Sequence, residues 1–326
     1  MSPPPITVRI MSQRQAPSAV ALARRMPGGT LTHEDIRFTT EDEPADVIVV
    51  LNYLRYDTLL EARKGYIWNW HNEPIVRTPF SRGFDRVFTH MDSSDVRVRP
   101  APPILDWWVG KSFSELEELA PKSKNRVMSA IASTKRMIPG HDRRNRFVEA
   151  VSREFPNIDV FGHGRSKQLA DKWDGLADYK FSIAIENTSK NDYWTEKIAD
   201  CFLSYTVPLY FGARNIADYF PSDSLIWLPL DDPEAALEII RKTIETDTWM
   251  ERLPYLREAR DRILYQYSLF GQISKAVRLE ASQIMRSPVR RVRVHGRRTW
   301  RGGWIRGEGF SGNIKAQISK FQLRSN

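Results

Sequence analysis

Residues 179–212, YKFSIAIENTSKNDYWTEKIADCFLSYTVPLYFG, gather Glu186, Asn187, Tyr193, Glu196 and Lys197 into one short stretch. The stretch reads as a strand, a polar loop, a helix and a returning strand. Ile198, Cys201, Phe202 and Tyr205 give the helix a buried stripe, and Pro208 sits early in the second strand. Such a βαβ unit crosses over right-handed, which puts the loop and the helix start at the C-terminal edge of a sheet. Free N–H groups and the helix dipole make that edge a place for an anion. A lysine there is disfavoured by the dipole by about 0.3–1 kcal/mol, and a bound diphosphate reverses that preference. The ordinary reading is that Lys197 pairs with Glu196 or Asp200 in solvent, and Glu196 is what a helix start favours in any case.

Two further titratable groups follow the strand YIWNWHN. Glu73 precedes Pro74, which biases it to an extended conformation at the end of that strand. His71 titrates near neutrality, although a histidine beside two aromatic residues is more often structural. A loop glutamate is ordinarily just solvated. The acid clusters DSSD (92–95) and LDD (230–232) do not read as metal sites: the first looks like a turn, and Asp232 is explained as a helix cap before Pro233.

The elements that must position these groups come in two series. Residues 6–11, 46–51, 66–70 and 85–90 read as strands, with YDTLLEARKG predicted to be a helix carrying Leu59, Leu60 and Arg63 and stopping at Gly65. Pro100, Pro102, Pro103, Pro121 and the basic KSKNR segment close that unit. A second series has strands at 126–133, 158–162, 181–187, 207–212 and 224–228. A helix around 144–155 places Phe147, Val148, Val151 and Phe155 on one face, and another begins at Pro233. The pattern predicts an α/β fold of two facing Rossmann-like domains with the ligand cleft between them. The expected division is 1–121, then 122–285 with terminal helices, then a basic tail at 286–326.

Bulk properties narrow the function. No run approaches the roughly 18 apolar residues of a membrane span, and MSPPPITVRI lacks the apolar core of a signal peptide, so the chain reads as cytoplasmic. Cys201 is the single cysteine, which excludes an intramolecular disulfide and a multi-cysteine metal site. The net charge is +9, but residues 286–326 hold eleven Lys or Arg against the one acid Glu308, a net of +10, so residues 1–285 sum to −1. The body is near neutral, which argues against nucleic acid as its ligand.

The whole pattern resembles the donor-binding motif of the family 10 glycosyltransferases, the α1,3/4-fucosyltransferases. That motif is a strand ending in E-N, a short loop, Y-x-T-E-K, a helix and T-V-P. The same elements stand here at Glu186-Asn187, Tyr193, Thr195-Glu196-Lys197 and Thr206-Val207-Pro208. RRNRFVEAV with DVFGHG, and FDRVFTHMDSSDVRVRP, extend the resemblance over about residues 66–228. It implies a GT-B fold in which the N-terminal domain holds the acceptor and the C-terminal one holds GDP-fucose. Fucose would pass with inversion to O3 or O4 of GlcNAc or Glc in a glycan. Carried over by position, Lys197 and Arg144 would hold the diphosphate, Tyr193 and Glu196 would surround the ribose, and Asn187 would line the donor pocket. Arg143 and Arg146 flank Arg144 as alternatives. The resemblance also makes Glu73 the catalytic base, with His71 as runner-up. No metal is then obligatory, because fixed cations stabilise the leaving diphosphate, with Mg²⁺ or Mn²⁺ at most stimulatory.

Two rival readings stay open. A related transferase could use another sugar nucleotide, since phosphate and ribose contacts do not read the hexose. Alternatively the basic tail makes this a binding protein. Arg with Trp300, Trp304 and Phe310 suits an anionic bilayer and peripheral attachment to the inner membrane near a lipid-linked glycan. A solubilising tail is the plainer reading, since four glycines from Gly302 to Gly309 break a long helix, and nucleic-acid binding ranks third.

Overall fold

A computed structural model describes residues 4–12, 18–73 and 82–296. The first half is built on β1 (Ile6–Ser12), β2 (Thr32–His33), β3 (Ile36–Thr39), β4 (Val47–Leu51), β6 (Ile67–Trp70), β7 (Arg86–Thr89) and β8 (Val98–Pro100), with β5 (Thr58–Arg63) standing outside the sheet. The sheet order is β2-β3-β1-β4-β6-β7-β8, parallel except for the β2–β3 pair. Chain order reverses between β1 and β4, so a crevice opens beyond their C-terminal ends. Both faces are covered: Val47 and Val49 enter one core, while Ile48 and Val50 enter another. This period of two is why VIVVL reads as a continuous apolar run.

The second half contains helices α3 (Pro139–Glu154), α4 (Glu196–Leu203), α5 (Pro233–Thr246) and α6 (Trp249–Arg262) around β9 (Arg126–Ile131), β10 (Asp159–Phe161), β11 (Tyr179–Ile185), β12 (Val207–Phe211) and β13 (Ile226–Trp227). Short helices α1 (Ala19–Ala23) and α2 (Phe113–Glu117) precede them. Its sheet is fully parallel in the order β10-β9-β11-β12-β13, with the reversal between β9 and β11. Asp232 caps α5 by accepting from the Ala235 N–H at 3.1 Å, as its position before Pro233 predicts. Lys124, in the segment read as a basic boundary, is instead buried. Its ammonium donates to the carbonyls of Leu176, Ala177 and Ser204 and to Thr206 Oγ1, tying together the connections that lead into β9, β11 and β12. Two parallel α/β halves with a cleft between them are the GT-B architecture expected.

The boundaries differ from the expected ones. Ile104 packs in the first core and Leu105 in the second, well before residue 121. The chain crosses back through the π-helical turn Ile263–Tyr267. Helices α7 (Leu269–Arg278) and α8 (Ala281–Arg286) then lay Leu269, Phe270, Ile273, Val277 and Ile284 on the first sheet. Both crossings lie side by side, joined by a parallel bridge between Leu105 and Ser268. An apolar stripe in a sequence shows that a helix is buried, but not against which sheet.

The largest correction concerns YDTLLEARKG, which is a strand. β5 pairs antiparallel with β14 (Val289–Val294), arriving from the region read as tail, and the two form a ribbon over the first sheet. Leu60, Ala62 and Val294 point into its core while Leu59 faces out, a period of two that the short stretch shares with a helical reading. Arg290 pairs with Asp85 and Arg291 with Glu61, so part of the charge assigned to the tail is consumed by the fold. Residues 297–326, which carry the rest of the tail expectation, lie outside the described residues. No helix among the described residues is long and apolar enough to cross a membrane. A chain ending at Met285 is expected to melt below one ending at Gly296. Exposing Leu60 and Ala62 and deleting Val294 costs at least about 1.5–3 kcal/mol, or roughly 5 °C, and calorimetric scans of the two truncations would check it.

Candidate active site

The C-terminal edges of both sheets face a single cleft of about 610 Å³ between the halves. From the first half come Tyr53, His71, Asn72 and Glu73, and from the second Lys135, His141 and the loop and helix start around Asn187 and Lys197. The first wall is set by a small polar lattice. Asn52, in the left-handed region at φ 63°, accepts from the Asn72 N–H at 2.8 Å, and the Asn72 side chain accepts from the Ile104 N–H at 2.8 Å. Glu73 follows that lattice directly and is exposed to the cleft. His71 is buried, and burial pushes its imidazole down to about 4. Accepting a proton there would create a buried cation, which makes His71 a poor base beside the exposed Glu73.

The second wall depends on Glu186, at the end of β11 and 0% exposed. Its carboxylate accepts the Thr195 N–H at 2.7 Å and the Thr195 hydroxyl at 2.8 Å, and pairs with Lys197 Nζ at 3.1 Å. Lys197 also pairs with Glu196 at 3.3 Å. Burial works against the Lys197 charge, but the two carboxylates outweigh it and hold the ammonium protonated. Burial likewise opposes ionisation of Glu196, yet Lys197 and Lys172 bring it down to about 2. The tip of the loop is pinned separately: Asp192 accepts from Asn215 at 2.7 Å and from the Tyr219 hydroxyl at 2.6 Å.

Of the residues singled out by the sequence, Glu73, Asn187, Tyr193, Glu196 and Lys197 share the cleft wall. Tyr193 is almost wholly buried there, its ring tilted against His90 of the first half at 4.8 Å. Arg144 is not on the wall. It stands behind Asn187, donating to its Oδ1 at 2.8 Å, and its Nε has no hydrogen-bond partner among the described residues. Of its neighbours, Arg143 pairs with Asp231 and Arg146 is exposed. The pairing considered for Lys197 is found in part: Glu196 is a partner at 3.3 Å, but the pair is largely buried, Asp200 is taken by Lys172 at 3.0 Å, and the buried Glu186 is a further partner at 3.1 Å.

Other contributors gave little sequence signal. Gly140, the second residue of α3, lets the helix start abut the loop, since a Cβ there would lie 1.8 Å from the Asn187 carbonyl. The N-terminal turns of α3 and α4 therefore both open on the cleft. His141 is pushed down by burial and by Arg144, Lys135 and Lys197, which marks this corner as positive. Backbone dipoles and cations together equip it for a polyanionic ligand.

The model of the glycosyltransferase family 10 (fucosyltransferase) C-terminal region matches residues 121–240. These residues form a family 10 glycosyltransferase domain. A fucosyltransferase-like protein of Arabidopsis thaliana is 32% identical over 148 residues, covering 44% of this chain and 27% of its own length. The α-(1,3)-fucosyltransferase of Helicobacter pylori is 33% identical over 93 residues, 27% of this chain and 19% of its own. The GDP-fucose protein O-fucosyltransferase 3 of Danio rerio is 30% identical over 132 residues, 39% and 29% respectively. The chain thus spans less than a third of the length of these relatives. A solved α1,3-fucosyltransferase with GDP-fucose aligns at a TM-score of 0.49 and 19% identity over 78% of this chain and 82% of that one.

The Glu186–Lys197 pair makes a measurable distinction between a surface lysine and a site lysine. Lys197→Met is expected to cost about 3–5 kcal/mol in urea unfolding by stranding a buried carboxylate, against at most about 1 kcal/mol for an exposed pair. Adding Glu186→Gln should restore part of the loss.

Proposed function

We propose that the chain is an inverting glycosyltransferase that moves fucose from GDP-fucose to a hydroxyl of a glycan acceptor. The observation that carries the reading is that Glu73 from one half meets Lys197 and two helix N-termini from the other in one cleft, the latter within the family 10 domain. In this reading GDP-fucose lies against α3 and α4. Its diphosphate shares Lys197 with Glu186 and Glu196, and Arg144 acts through Asn187 rather than by direct contact. Tyr193 and Glu196 border the ribose.

The acceptor hydroxyl gives its proton to the Glu73 carboxylate as its oxygen bonds to the fucose anomeric carbon. The bond from that carbon to the diphosphate breaks on the opposite face, so the configuration inverts. Charge developing on GDP is met by the Lys197 ammonium and the free N–H groups of the helix starts. Those fixed charges supply what a divalent cation would otherwise supply, so the reaction is proposed to need no metal, with Mg²⁺ or Mn²⁺ acting only on the free diphosphate. The names of the relatives point to GDP-fucose as donor, and competition among GDP-fucose, GDP-mannose and UDP-sugars in one release assay identifies the sugar.

Glu73→Gln is expected to lower turnover on the order of 10²-fold or more while leaving GDP-fucose affinity within a few-fold, because the amide keeps the shape but takes no proton. Near-full turnover by the variant would remove Glu73 from the mechanism. In the same GDP-release assay, a chelator should leave the rate essentially unchanged; complete inhibition reversed by added metal would contradict the role given to Lys197.

A further inference from the structure

Trp107 and Trp108 are consecutive on the segment that first crosses between the halves, and they meet opposite fates. Trp107 is 1% exposed in the second core, whereas Trp108 is 62% exposed on the wall of the cleft. Nothing in the donor chemistry uses it. Nor is it loosely held. Its backbone N–H donates to Asp200 Oδ1 at 2.9 Å, and Asp200 is buried and paired with Lys172. Two positions on, the Gly110 N–H donates to both oxygens of Asp171 at 2.9 and 3.0 Å, in an approach so close that a Cβ on Gly110 would lie 2.0 Å from Asp171 Oδ2. The Lys172 ammonium sits over the indole, 4.8 Å from the ring centroid. Two carboxylates of the second half thus hold the backbone at this residue and a lysine lies over its indole, while the side chain stays exposed on the cleft lining.

A large aromatic surface held in water is the uncommon case, and at a cleft it marks a contact surface. What fits an indole face in a polar cleft is a flat ligand with an apolar side and a hydroxylated rim, which is a pyranose ring. The charges nearby select further. Glu73 and the exposed carboxylate of Asp106 line the same wall, the latter 3.5 Å from Arg25. Lys172 is already engaged by Asp200 and Glu196. His71 is neutral. Among the described residues, the cations against this segment, Arg25 and Lys172, are already engaged by carboxylates, so an acidic sugar on the indole would bring a like charge toward Glu73 and Asp106.

We propose that Trp108 is the stacking platform for the acceptor, an uncharged pyranoside seated on the segment joining the two halves. The inference rests on the transferase reading and adds to it the place and charge class of the acceptor. It differs from an acceptor held by the first half alone.

The test uses the full chain on an array of neutral and acidic oligosaccharides, with and without GDP, together with calorimetry of GDP alone. Wild type should capture neutral saccharides. Trp108→Ala should lose about tenfold or more in that binding, Trp108→Phe should stay within about threefold, and GDP affinity should be the same in all three. Undiminished capture by Trp108→Ala, preferred capture of acidic saccharides, or no capture by wild type would overturn the proposal. So would a loss of GDP affinity in Trp108→Ala, which would put the guanine base on the indole instead. A chain that captures saccharide but binds no GDP would overturn the donor reading and leave the role of Trp108 standing.

Discussion

A carboxylate with no exposure to water is the constraint on which the second half turns. Glu186 ends β11 inside the protein, where an unpaired negative charge is untenable. It is tolerated because the start of α4 folds back to supply a backbone N–H, a hydroxyl and an ammonium. That one requirement fixes how the polar loop between β11 and α4 closes, which way the first turn of α4 points, and where Lys197 stops. It also leaves Lys197 between two acids, which hold its charge at the cleft wall. Gly140 and Gly212 serve the same closure. A Cβ on Gly212 would fall 2.6 Å from Glu186 Cγ, as one on Gly140 would strike the Asn187 carbonyl.

The cleft-lining part of the second half was readable from sequence because its information is local. The strand, loop, helix and strand of residues 179–212 are consecutive, and the side chains that matter lie within a few positions of one another. The place of Glu73 on the cleft was readable for a related reason, since in the sequence it follows a strand by three residues and precedes a proline. What sequence did not show was set by distant partners. β5 resembles a helix until β14 arrives from more than two hundred residues away to pair with it. Arg144 has the spacing of a ligand-binding residue, but only the packing of α3 against Asn187 shows that it supports the wall from behind. Lys172 and the Trp107–Trp108 pair lie in stretches without periodicity, and their roles exist only where the two halves touch.

The halves touch away from the cleft as well, where Arg25 of the first lies over the Trp107 ring and pairs with Asp106. Tyr193 meets His90 near the cleft, and the Trp108 backbone meets Asp200 behind it. The same Asp200–Lys172–Glu196 chain that anchors the crossing segment also sets the charge beside Lys197. Donor-side electrostatics and the position of the crossing segment are therefore coupled through three side chains.

The return of α7, α8 and β14 to the first sheet makes the second half an insertion within the first. During synthesis the residues from Leu105 to Leu264 emerge as one continuous piece and can complete their core as soon as they leave the ribosome. The earlier-made strands must wait for the last helices before their own core closes. The older segment in order of synthesis is thus the later one to mature, and until it does it presents a parallel sheet with an uncovered face. A cell making this protein would need to shield that face for the time taken to translate the intervening domain. Moving the chain ends into the returning crossing, at Ile263–Ser268, would remove the delay while leaving the cleft-lining crossing at 103–108 uncut.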